Sequence, residues 1–149
     1  MLRNCLLAVV AVILVLPVAA SEVGHVKVVK GAATVQRGAE KIVVTTTMKI
    51  FAADVITTGA DGAVGITFTD NSLISTGPNS VLSIDQYTFD RTTHVGQFDS
   101  TLKKGTLAAI SGKMVKQAPE SMRIHTPASI MGVRGTEFVV KVDDVNESR

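Results

Sequence analysis

Hydrophobic and polar positions alternate with period two along much of this chain. In Ala63–Thr69, Val64, Ile66 and Phe68 share one face. In Val81–Asp85, Leu82 and Ile84 point one way and Ser83 and Asp85 the other. In Phe138–Val142, Phe138, Val140 and Val142 take the inward side. Successive side chains of a pleated strand point to opposite faces, so this pattern predicts half-buried strands. The same reading predicts strands at Val26–Lys30, Ala33–Arg37, Ile42–Thr46, Val55–Thr58, Leu73–Thr76, Thr92–Phe98 and Thr106–Ile110. No segment carries the period of an amphipathic helix. Sixteen Thr join many Val and Ile, residues whose branched side chains suit a pleated surface, and twelve Gly punctuate them. The expected fold is all-β: a single domain built as a solenoid-like or sandwich-like stack of short strands.

Turn chemistry separates the strands. Asp61-Gly62 and Asp70-Asn71 are local turn signals. Tyr87–Phe98 is more polar and reads as an exposed hairpin or loop, and Gln117–Ser121 reads as a loop. A weak repeat also runs along the chain. Ile56-Thr57-Thr58-Gly59, Ile74-Ser75-Thr76-Gly77 and Ile124-His125-Thr126-Pro127 share the form Ile-x-Thr followed by Gly or Pro. A strand ending at Thr and turned by Gly or Pro would explain it, as would chance recurrence of common turn residues. The first two copies are spaced like solenoid rungs, but the third breaks the period.

The N-terminus changes the picture. Met1–Asn4 carries one positive charge, Cys5–Val15 is almost wholly apolar, and Pro17–Ala20 ends in small residues. That order predicts a secretory signal peptide over 1–20, with cleavage before Ser21. The run is short for a spanning helix, so membrane contact is expected only through this segment if it stays uncleaved. The predicted domain is 21–142, followed by a polar tail, 143–149. The one cysteine, Cys5, would leave with the signal, so the exported domain would hold together by packing alone.

Charge is close to balanced, at +2. The lysines are scattered, and there is one Tyr and no Trp. Neither a basic stripe nor a stacking surface points to nucleic acid. Enzyme signatures are equally scarce. His25, His94 and His125 show no paired metal-ligand spacing, and His125 reads as a solvent-facing strand residue. There is no Gly-x-Ser-x-Gly elbow and no phosphate loop. No catalytic, metal or cofactor site is therefore expected.

One segment remains: Thr126-Pro127, then Gly132-Val133-Arg134-Gly135-Thr136-Glu137-Phe138. Thr126 precedes Pro, so its backbone is pushed to extended geometry and its hydroxyl is free to bond nearby backbone. Gly132 and Gly135 would permit positive φ. Arg134 could clamp an anion. The structural expectation is that it instead reaches Glu137 or backbone carbonyls and pins a buried turn. These residues resemble the FecR domain family, a periplasmic module. The resemblance runs from about Val26 to Val142 through Gly31–Val35, Asp54–Gly59, Asp70-Asn71-Ser72, Pro78-Asn79-Ser80, Leu102–Gly105 and the closing motif. Ala53 and Asn71 stand where the family usually has Gly.

The resemblance implies an all-β module without catalysis that works through protein contacts. In familiar members it senses an outer-membrane transporter, behind a membrane helix and a cytoplasmic sigma-regulating segment. Only four residues precede the apolar run here, so the expectation is the interaction module without that relay. The family usually adds strands after the Glu-Phe strand, which leaves Phe138–Val142 as an expected open edge where a partner strand could pair. The leading expectation is an exported, non-enzymatic module engaging an envelope protein. The alternative is a glycan- or lipid-binding β-scaffold, against which the scarcity of aromatics argues for sugars.

Overall fold

The computed structural model describes residues 20–143, so the predicted signal segment, all but its last residue, and most of the polar tail lie outside the described residues. Twelve strands form: β1 Glu22–Lys30, β2 Ala33–Arg37, β3 Glu40–Val43, β4 Lys49–Phe51, β5 Val55–Thr58, β6 Ala63–Phe68, β7 Leu73–Thr76, β8 Val81–Phe89, β9 Gly96–Ile110, β10 Met122–His125, β11 Ile130–Gly132 and β12 Glu137–Val142. A short helix, α1 Lys113–Gln117, and a 3-10 turn, Pro119–Ser121, separate β9 from β10. The all-β expectation holds.

The strands make one curled sheet whose two halves share β9. The first half runs β4-β1-β6-β7-β9-β12, and the second runs β3-β2-β5-β8-β9-β10-β11. Fifteen residues long, β9 changes partners along its length. Gly96–Lys104 pairs with β8, and Leu107–Ile110 with β7. Between them Gly105 sits at φ +91°, a conformation suited to glycine, and the strand passes from one half to the other there. Neighbours are antiparallel except β9 and β10. A solenoid would pair its strands in parallel, so the sandwich-like form is the one adopted.

Alternation fills the interior. Val64, Ile66 and Phe68 are buried, as are Leu82 and Ile84. On β12, Val140 is buried and Phe138 and Val142 pack against the core. Phe68, Tyr87 and Phe98 close the space between the halves, with ring centroids 4.7–5.4 Å apart. The exposed hairpin expected over Tyr87–Phe98 is present, with Asp90–Thr93 exposed at its tip. Its ends are core, because β8 runs on to Phe89 and β9 starts at Gly96. By contrast, Gln117–Ser121 is helix end and 3-10 turn rather than plain loop. The predicted strand over Ile42–Thr46 is shifted to Glu40–Val43.

The repeat has a structural cause in its first two copies. The chain crosses between halves at Gly31-Ala32, Gly59–Gly62, Gly77–Ser80 and Gly105-Thr106, and these corners stack. Gly59 N–H donates to the Ala32 carbonyl at 2.9 Å, and Asn79 N–H to the Gly59 carbonyl at 3.0 Å. Gly77 N–H donates to the Thr106 carbonyl at 3.0 Å. Buried Thr58 knits two corners: its hydroxyl donates to the Gly77 carbonyl at 2.7 Å and accepts Ser80 N–H at 2.9 Å. The third copy is no part of this stack. Thr126-Pro127 turns the β10–β11 hairpin.

Candidate functional site

The closing motif spans the β10–β11 hairpin, a connector and β12. The Thr126 hydroxyl accepts the Ser129 N–H at 3.0 Å and lies 3.2 Å from the Ser129 carbonyl, as its position before Pro127 predicts. The connector is anchored by Val133, which is buried and whose N–H donates to the Met122 carbonyl at 3.1 Å. It is anchored again by Ser111. The Ser111 hydroxyl donates to the Gly135 carbonyl at 2.7 Å, and Ser111 N–H to the Thr136 carbonyl at 2.8 Å.

Two expectations for this segment fail. Arg134 does not pin the turn. It is exposed, as is Glu137, and among the described residues its side chain makes no hydrogen bond or ion pair. The Ser111 hydroxyl and the Val133 side chain do that work, so Arg134 is left free. Gly135 has φ +110°, but Gly132 has no positive φ and open space around it. Within the run, Val133–Thr136 is thus a surface connector with one buried anchor, between β11 and β12.

The motif brings together two sheet edges. Among the described residues β12 pairs with β9 alone and β11 with β10 alone. Thr126–Ser129, Met131 and Val139–Asp143 line a groove of about 420 Å³ between them. Ile130 and Val139 are exposed at 68 % and 65 %. The register of β12 on β9 runs without a bulge.

A second surface lies on the outer face of the first half. A trough of about 550 Å³ has small residues as its floor, Gly65, Ser75 and Ala108, which are paired across β6, β7 and β9. Val28, Leu73 and Ile110 rise around it, with Lys27, Lys30 and Glu137 among its lining residues.

Three polar networks escaped the sequence reading. Buried Asp54 takes a two-pronged contact from Arg37, at 2.8 and 2.7 Å, and accepts Phe51 N–H at 3.0 Å. Arg37 also stacks 4.5 Å over the Phe51 ring. Buried Asp70 accepts Ser72 N–H and the Ser72 hydroxyl at 3.0 and 2.6 Å, and the Tyr87 hydroxyl at 3.1 Å. Burial pushes the Tyr87 hydroxyl well above its ordinary pKa. On the outer face of the second half, Asp99 receives Arg123 Nε at 2.8 Å and Gln97 Nε2 at 2.6 Å, with His125 Nε2 at 3.4 Å. Burial raises the Asp99 pKa, but the hydrogen bonds from Arg123, Gln97 and His125 outweigh it and hold the carboxyl below its usual range. His125 is thus half-covered and leans on Asp99 rather than facing open solvent. Each network joins residues far apart in sequence, which spacing could not reveal. Among the described residues no three His, Cys, Asp or Glu form a group that could hold a metal.

A family model described as FecR protein matches residues 54–148, well over half of the chain. The chain belongs to the FecR family. The match begins at Asp54, so β1 to β4 precede it, whereas the resemblance spans about Val26 to Val142. Comparison with curated proteins and with solved structures found no match. The FecR-like turn positions carry the backbone that the motif requires. Ala53 and Asn71, standing where the family usually has Gly, sit at φ 70° and 67°, and Asn79 at 52°. Among the described residues no helix is long and apolar enough to cross a membrane.

Proposed function

We propose that this FecR-family chain is an exported, non-enzymatic module that engages a protein partner in the cell envelope and so senses or relays a signal. The observation that carries the reading is the family match over the sandwich and its closing motif. The geometry is consistent with it. The motif residues Thr126, Pro127, Gly132, Arg134, Gly135, Thr136, Glu137 and Phe138 sit beside two open sheet edges, and the exposed Arg134 and Glu137 are available to a partner. Main-chain groups along such edges, with side-chain contacts beside them, are a common means of peptide recognition.

A second reading, an envelope scaffold for lipid, is favoured by one observation: the trough floored by Gly65, Ser75 and Ala108. Its apolar walls suit an acyl chain better than a sugar. Crosslinking of the tagged protein in intact cells, followed by mass spectrometry, separates the two. The expected result is a reproducible envelope protein, lost when Arg134 and Glu137 are both replaced by Ala in a variant that still folds. Retention of lipid or glycan with no protein would overturn the first reading.

A further inference from the structure

We infer that β12 is a self-complementary edge and that two copies of this chain pair through it about a two-fold axis. Ser111 N–H donates to the Thr136 carbonyl, and the antiparallel register then runs from Glu137 opposite Ile110 to Val142 opposite Gly105. In an antiparallel ladder alternate residues turn their N–H and C=O toward the same neighbour. Phe138, Val140 and Val142 therefore direct theirs to β9. Glu137, Val139 and Lys141 direct theirs away from it, to the side where the described residues place no strand.

Only residues with outward groups can bond across such an edge. Antiparallel pairing of β12 with itself engages all three in one register, the one centred on Val139. Val139 then lies opposite Val139 of the second copy, and Glu137 opposite Lys141, twice over. That register follows from engaging every outward residue, yet it also matches opposite charges, and opposite-charge pairs across a ladder are favourable. The side chains agree as well. Glu137, Val139 and Lys141 are all exposed. Lys141 holds Asp143 at 3.0 Å, but both are well exposed, so the contact is weak and open to exchange for Glu137 of the second copy. A lone Lys on an edge strand is also a known guard against pairing. Here a Glu four residues away turns it into a complement.

Pairing would extend the first half of the sheet without interruption. The row Val28, Gly65, Ser75, Ala108, Val139 would continue into its counterpart and join the two apolar troughs. A C2 contact of this kind is isologous, closes on itself and leaves no further β12 edge exposed. Pairing of this kind is independent of the envelope partner proposed above.

Sedimentation equilibrium on protein purified from cells expressing the full chain tests it, between about 1 and about 100 µM, where a contact of this modest area would show. A dimer is expected. Lys141→Glu and Glu137→Lys should each weaken it by about tenfold or more, by setting like charges opposite, and the double reversal should restore it. Val139→Pro removes an N–H that points away from β9, so it should abolish the dimer while circular dichroism shows the fold kept. A protein that stays monomeric across the range would overturn the proposal. So would a dimer indifferent to Val139→Pro, or single reversals that weaken a dimer the double reversal fails to rescue. A monomer whose β12 edge instead takes a segment of another protein would also overturn it and assign the edge to that protein.

Discussion

Ala53 shows what one residue costs when the backbone rather than the side chain decides. At φ 70° its Cβ crowds the following carbonyl, a strain worth about 1 kcal/mol. Ala53→Gly is therefore expected to stabilise the protein by about that amount, read as a higher urea midpoint with unchanged slope. A lower midpoint would mean that the greater freedom of glycine in the unfolded chain outweighs the relief. Arg134 argues the other way. Because it is exposed and unpaired within the described residues, Arg134→Ala should change stability by less than about 0.5 kcal/mol. A loss of several times that would reinstate the pinned turn that the motif suggested. The contrast marks what was legible at this scale. Gly135 and the Asn71 turn could be read because backbone geometry is local. The Ser111 hydroxyl that holds Gly135 lies 24 positions away and gave no signal.

At the scale of elements, the stacked corners make a prediction about where glycine is indispensable. A Cβ on Gly105 would come within 2.1 Å of the Ser80 hydroxyl oxygen and 2.5 Å of the Ser80 Cα, at φ +91°. At Gly38, φ is +58° and nothing lies within 4 Å. Gly38→Ala should thus cost about 1 kcal/mol, from conformation alone. Gly105→Ala should cost about 3 kcal/mol or more, since clash and strain add. Equal losses in thermal unfolding would show that the corners are not the joint proposed. The Ile-x-Thr-Gly repeat made the first two copies visible from sequence. Their partner at Thr106 was invisible, because it breaks the pattern and because β9 reads as two strands rather than one.

The outer face of the second half adds a pH dependence. Asp99 is held ionised by Arg123, Gln97 and His125, so its folded pKa lies below the unfolded value of about 3.9. For such a group the folded protein binds fewer protons than the unfolded one in this window. The stabilisation is therefore present above about pH 4 and is lost as pH falls through the folded value. Asp99→Asn should remove that acid-side slope, leaving chemical stability flatter below about pH 4 than in the unaltered protein. An unchanged slope would mean that other carboxyls govern acid unfolding.

For the whole molecule, the decisive feature is that β9 belongs to both halves. Period-two alternation could announce an all-β chain, but not that one strand serves β8 and β10 at one end and β7 and β12 at the other. That information lies in pairings between distant residues, to which periodicity is blind. It has an energetic consequence. If the halves share a strand and a single core, neither can come apart while the other survives, and unfolding should be one cooperative transition. Amide exchange then has a defined order. The amides of β9 over Phe98–Thr101 and Leu107–Ile110, with a strand on each side and next to buried Phe98, Leu102 and Leu107, should exchange only through global unfolding. Those of β3 and β11, each paired on one side, should exchange through smaller openings, and so should the outward amides of Glu137, Val139 and Lys141 in the monomer. Native-state hydrogen exchange resolved by residue checks this. Two separate plateaus, one for each half of the sheet, would show that β9 is a seam along which the fold divides and not the strand that binds it.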